Sequence, residues 1–183
     1  MGHLPVRATT SSVDHTRALA AALSELARPC DLFLLVGDLG AGKTAFTQGF
    51  GGGLGVQEQI TSPTFALVHG YTGRLPLNHL DVYRLEQVNE ALDLGLAELL
   101  DDGSVTIIEW GDTIVGALPR DYLEVRITFG EGPEDRVLEL TAVGPSWQAR
   151  GVAVARTLAP WSEAGAGDDA AGDAAAGDGG GPC

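Results

Sequence analysis

Apolar positions change their spacing along the chain, and each change marks an element. Leu19, Leu23 and Leu26 recur at intervals of four and three among alanines, behind Ser11, Ser12 and Asp14, whose side-chain oxygens can cap backbone amides. That pattern predicts an amphipathic first helix. Leu32-Phe33-Leu34-Leu35-Val36 is an unbroken apolar run stopped by glycine, as expected of a strand buried on both faces of a parallel sheet. Val105-Thr106-Ile107-Ile108, after the turn Asp101-Asp102-Gly103, reads the same way. Residues 66–71 and 75–83 are expected to be two strands around Thr72-Gly73-Arg74, and residues 88–100 have helical spacing at Leu92, Leu96 and Leu99. The period then drops to two. Leu123, Val125, Ile127 and Phe129 alternate with Tyr122, Glu124, Arg126 and Thr128, and Leu138, Leu140 and Ala142 alternate after a turn at 130–134, which predicts a hairpin with one solvated face. The expected fold is α/β, with a mixed sheet that is parallel in its centre, antiparallel at an edge hairpin, and flanked by helices.

Composition narrows this picture. With 183 residues, 44% of them apolar, the chain is expected to form one domain with a true core. No run approaches the roughly 20 apolar residues that cross a bilayer, and the first thirty residues lack a charged-then-apolar leader, so a soluble, cytoplasmic protein with no membrane partner is expected. Twenty-five acidic against eleven basic residues give a net charge of −14, which disfavours broad binding to nucleic-acid backbones. Residues 163–183 contain seven alanines, seven glycines and five acids, with no large apolar side chain. Such a segment is expected to be a disordered tail, leaving residues 1–162 as the domain. Cys30 and Cys183 are too few for a disulfide framework and lack metal-ligand spacing.

One motif carries chemistry. Gly37-Asp38-Leu39-Gly40-Ala41-Gly42-Lys43-Thr44 matches G-x-x-x-x-G-K-[ST], directly after a buried strand and before Ala45-Phe46-Thr47-Gln48. Glycines let the backbone curl so that successive amides face phosphate oxygens, while the following helix presents its positive end. Lys43 can then reach the β- and γ-phosphates, and the Thr44 hydroxyl can take a magnesium position. The domain is therefore expected to be P-loop NTPase-like. A nucleotide-bound magnesium needs a second anchor, and two strand-end carboxylates fit, Glu109 after Val105–Ile108 and Asp81 after Leu77-Asn78-His79-Leu80. Thr61-Ser62-Pro63-Thr64-Phe65 lies where nucleotide hydrolases keep a γ-phosphate-sensing segment, although Ser-Pro and Thr also build ordinary turns. Trp110 is either a core ring or a functional one. Guanine selectivity is disfavoured, because no Asn-Lys-x-Asp run is present, and the absence of arginine from 86–103 weakens a kinase reading.

Gly37–Thr44, the T-S-P-T-F of 61–65, the H-L-D-V-Y-R of 79–84 and the I-E-W of 108–110, in that order and spacing, resemble the TsaE family across about residues 12–143. The resemblance implies a minimal P-loop α/β fold, ATP and Mg2+ as ligands, and an ATP-hydrolysing role in threonylcarbamoyladenosine modification of tRNAs that read codons beginning with A. It implies partnership with TsaB and TsaD, with tRNA contacted through that complex. By position, it assigns the phosphates to Lys43 and the amides of Asp38, Leu39, Gly40, Ala41, Gly42, Thr44 and Ala45. Magnesium falls to Thr44 and Glu109, and orientation of the attacking water to Asp81. Trp110 is implied to be needed for activity, Thr64 to sit on the switch-like segment, Arg136 to reach the nucleotide and Thr16 to lie near the adenine. Arg84 is a candidate arginine finger. Other readings are a nucleotide-switched binding module in the same assembly and a small-molecule kinase. Two features depart from the family pattern: the acidic tail, and Gly51-Gly52-Gly53, at which the helix after the phosphate loop is expected to end early.

Overall fold

The computed structural model describes residues 5–63, 68–83 and 95–162. In chain order these form β1 (Val6–Thr10), α1 (Val13–Ser24), β2 (Leu32–Val36), α2 (Lys43–Gly53), β3 (Val68–Tyr71) and β4 (Leu77–Asp81), followed by α3 (Leu96–Asp101), β5 (Val105–Glu109), β6 (Tyr122–Phe129), β7 (Arg136–Val143), α4 (Pro145–Ala149) and α5 (Gly151–Thr157). The strands join one sheet in the order β1-β7-β6-β2-β5-β4-β3. β2 runs parallel to β5 and β6, and β4 runs parallel to β5, so the centre is parallel as the apolar runs predict. Every residue of β2 and β5 is buried.

Alternation along the strands assigns side chains to two layers. Phe33, Leu35, Ile107, Leu123 and Val125 pack with Leu19 and Leu23 of α1 and Phe46 and Phe50 of α2. Leu32, Leu34, Leu80 and Ile108 form the other layer with Leu96, Ile114 and Leu118. The same rule puts residues 77, 79 and 81 of β4, and 105, 107 and 109 of β5, on the α2 side.

Several expectations are corrected. The β6–β7 hairpin is not at the edge, because β1 pairs antiparallel with β7 outside it, and the opposite edge is the antiparallel β3–β4 pair. The strands around Thr72–Arg74 are shorter than expected, and residues 66–67 lie outside the described residues. Of the helix expected over 88–100, the described part is α3; Leu92 and residues 88–94 lie outside, as does the tail at 163–183. Ser12, among the three offered caps, accepts from His15 N at 3.0 Å.

The helix after the phosphate loop does not end early: α2 continues through Gly53. Propensity argues against three successive glycines, but Gly51 packs against Ile60, and Gly49 and Gly53 pack against α1, with no room for a side chain. A Cβ on Gly49 would press on the Arg17 main chain, and one on Gly53 would stand 2.7 Å from the Ala21 carbonyl oxygen. Gly52 faces open space and is exposed. Gly49→Ala is therefore expected to lower stability by about 1–3 kcal/mol through overpacking. Gly52→Ala should raise it by about 0.5–1 kcal/mol through helix propensity. Denaturant midpoints of the two variants check the opposite signs.

Candidate functional site

β2 delivers the chain into the 37–42 turn at the carboxyl end of the sheet, and α2 starts at Lys43. Gly42, at the helix cap, has φ +110°, a conformation L side chains rarely adopt. No side chain among the described residues caps α2, and its first turn holds no acid. Helix-start amides lack intrahelical acceptors and carry the positive end of the dipole, so this start is suited to an anion.

Lys43 is buried, with Nζ donating to the carbonyls of Gly37 (2.7 Å) and Asp38 (2.9 Å) and standing 3.8 Å from the centroid of the Trp110 ring. Burial pulls its pKa below the ordinary 10.5, opposed by the negative charges of Glu109, Asp81, Asp38 and Asp112. Trp110 also packs on Tyr83, centroids 4.9 Å apart. Its φ is +62°, unusual for a bulky residue, and its amide donates to the Leu35 carbonyl oxygen. The Trp110 ring is half-buried, with the Lys43 ammonium and the Tyr83 ring against it.

Parallel pairing sets Asp81 opposite Glu109. Glu109 is buried and accepts from Thr44 Oγ1 at 3.1 Å (Oε1) and 3.4 Å (Oε2). Its Oε1 also accepts from His79 Nε2 at 2.8 Å. Asp81 accepts from Ser62 Oγ (3.0 Å) and the Tyr83 amide (3.0 Å). A cavity of about 290 Å³ is lined by Leu39, Gly40, Gly42, Lys43, Thr44 and Ala45 of the loop and helix, with Ser62, Asp81, Glu109 and Trp110 opposite.

The donors present fit magnesium. Thr44 and Glu109 offer hard oxygens side by side, and Mg2+ is commonly held by one or two side chains plus substrate phosphates and water. Among the described residues no group of three or more His, Cys, Asp or Glu forms a protein-only metal cage.

Arg136 does not line this cavity. Its guanidinium donates from Nε to the Ala41 carbonyl oxygen (2.9 Å), tying the start of β7 to the phosphate loop, and lies 4.8 Å from the Phe129 ring. With Thr10, Ser11, His15 and Phe129 it lines a neighbouring cleft of about 640 Å³. Thr16 lines neither space; it is buried, with its hydroxyl bonded to Thr10 Oγ1 (2.7 Å) and to the Ser12 carbonyl (3.2 Å). Asp38 contributes a main-chain carbonyl to Lys43. Thr64 and Arg84 lie outside the described residues.

The model of the family described as "Threonylcarbamoyl adenosine biosynthesis protein TsaE" matches residues 10–137. The chain belongs to the TsaE family. It is 41% identical over 140 residues to the Bacillus subtilis tRNA threonylcarbamoyladenosine biosynthesis protein TsaE, covering 76% of this chain and 87% of that one. The Streptomyces coelicolor protein of the same name is 43% identical over 145 residues, covering 75% and 97%. The crystal structure of Bacillus subtilis YdiB superposes with a TM-score of 0.72 at 34% identity, covering 84% of this chain and 97% of that chain.

Three residues in this TsaE-family site were not singled out from sequence: His79, Ser62 and Tyr83. For His79 a signal existed, since residues two apart in a strand share a face and residue 79 therefore points the same way as Asp81. Ser62 and Tyr83 reach Asp81 and Trp110 through loop geometry that no period encodes.

Proposed function

We propose that this TsaE-family chain binds ATP with Mg2+ at the 37–44 loop and hydrolyses it in the service of threonylcarbamoyladenosine modification of tRNAs that read codons beginning with A, together with TsaB and TsaD. The observation that carries the reading is the meeting of Lys43, Thr44, Asp81 and Glu109 around one small cavity at an uncapped helix start. The names of the relatives supply the biological setting.

Each residue has a role that follows from its surroundings. The loop amides of residues 38–45 and the Lys43 ammonium bind phosphate oxygens. Replacing the Gly37 and Asp38 carbonyls with phosphate charge also relieves the burial penalty that lowers the Lys43 pKa. Thr44 and Glu109 hold the metal, which when bound neutralises developing charge on the phosphates. Asp81 is fixed by Ser62 and the Tyr83 amide, so its carboxylate can orient the attacking water. Trp110 gives Lys43 an apolar, π-rich floor that keeps its ammonium aimed into the loop. Arg136 and the cleft beside it receive the remainder of the nucleotide. Residues 1–162 form the ATPase domain.

Phosphoryl transfer needs position and charge more than covalent help. Lys43 is the one cation lining the cavity among the described residues, so turnover by the chain alone is expected to be slow and to rise when partners order or complete the site. ATP hydrolysis measured with and without the TsaB–TsaD pair tests this; equal rates would remove partner activation. The net charge of −14 fits a subunit that meets tRNA through its complex, and no described helix is long and apolar enough to cross a membrane, in keeping with work in the cytoplasm.

A further inference from the structure

His79 is the most buried ionisable residue of the site, with no exposed surface, and neither the loop motif nor the roles above give it work. Its place follows from pairing. β4 sets Asp81 opposite Glu109 and His79 opposite Ile107 on the same face, so the imidazole is the diagonal neighbour of the Glu109 carboxylate. Nε2 lies 2.8 Å from Oε1. A carboxylate only accepts, so Nε2 carries its hydrogen and donates. The other ring nitrogen, Nδ1, is buried with no hydrogen-bond partner among the described residues. A polar residue kept only to satisfy the core is expected to be bonded at both ends, and an apolar side chain of similar size would fill this space without an orphaned atom. Among the described residues, the one side-chain hydrogen bond that His79 makes is to Glu109.

That bond separates the two oxygens of Glu109. Oε1 accepts from both His79 and Thr44, whereas the one recorded hydrogen bond of Oε2 among the described residues is the 3.4 Å contact with Thr44. With Thr44 alone as donor, the two oxygens would be nearly equivalent and the carboxylate free to turn about its last torsion. We propose that His79 is a positioning residue that anchors Oε1 and so keeps Oε2 available to the nucleotide-bound divalent cation. The inference rests on the nucleotide-site reading and adds to it the group that sets metal affinity. Partners of metal-ligating side chains typically change metal affinity about 10- to 100-fold when removed.

The experiment measures ADP affinity of the full chain by calorimetry across a Mg2+ titration, for wild type, His79→Leu and His79→Gln, with thermal unfolding to verify that each is folded. His79→Leu is expected to keep the wild-type ADP affinity in EDTA and to need at least about 10-fold more Mg2+ for half of the metal-dependent gain. His79→Gln retains an N–H donor near the position of Nε2, so its Mg2+ midpoint should stay within about 3-fold of wild type. Equal midpoints for wild type and His79→Leu would overturn the proposal, as would a shift in His79→Gln as large as that in His79→Leu. Should His79→Leu not fold, His79→Gln alone decides, a retained midpoint supporting the role and a loss of about 10-fold or more overturning it. Wild-type binding that ignores Mg2+ would overturn the metal site and this inference together, whereas a normal wild-type response with an unshifted leucine variant overturns only the role of His79.

Discussion

Lys43→Ala is expected to weaken nucleotide binding by at least about 100-fold, equivalent to about 2.7 kcal/mol, and to leave no measurable ATP turnover. Truncating one partner of a desolvated, hydrogen-bonded charge pair commonly costs about 2–5 kcal/mol, and here the phosphate charge would be left facing amides alone. The folded state should survive. The lysine is held at a pKa lowered by its own burial, so its removal also removes a desolvation cost, and the Gly37 and Asp38 carbonyls lie beside a cavity that water can enter. Competition binding with a fluorescent nucleotide, together with a melting curve, separates the two effects. Affinity within about 3-fold of wild type in a folded variant would contradict the assignment of Lys43.

Asp81→Asn and Glu109→Gln are expected to fail in different ways. The asparagine keeps an oxygen for the Tyr83 amide but loses the carboxylate that orients and activates water. Its kcat should fall about 10²- to 10⁴-fold, while nucleotide affinity in the presence of Mg2+ stays close to wild type. Glu109→Gln removes charge where Thr44 and His79 converge, so its main signature is a raised Mg2+ requirement, with kcat falling as the metal is lost. A kcat for Asp81→Asn within about 10-fold of wild type would remove its role toward water. Loss of turnover in either variant without loss of function in tRNA modification would favour the nucleotide-switched module over the ATPase.

Local chemistry made the centre of this molecule readable in sequence. β2 and β5 are buried on both faces and therefore appear as unbroken apolar runs, and the phosphate loop must follow such a strand and precede a helix to work. What escaped depends on partners remote in the chain. β1 is a short strand whose place is fixed by pairing with β7, over a hundred residues later. α4 and α5 are short helices pinned by the buried pair of Arg150 with Asp31, 2.7 Å apart, a contact across 119 positions. The glycine run in α2 misleads because propensity counts the entropy of each glycine but not the neighbours that exclude a side chain, Ile60 at Gly51 and α1 at Gly53. In the site, the carboxylates were found as strand ends, but the positive φ of Trp110 and the Ser62–Asp81 bond come from loops whose course has no period.

A calorimetric titration of the whole chain with the non-hydrolysable Mg2+ complex of an ATP analogue tests the central claim most directly. Saturable heat at one site per chain, weakened when Mg2+ is withheld, is the predicted result. A flat trace, or binding of equal strength with and without the metal, would contradict a nucleotide seated on the 37–44 loop with Thr44 and Glu109 at its cation.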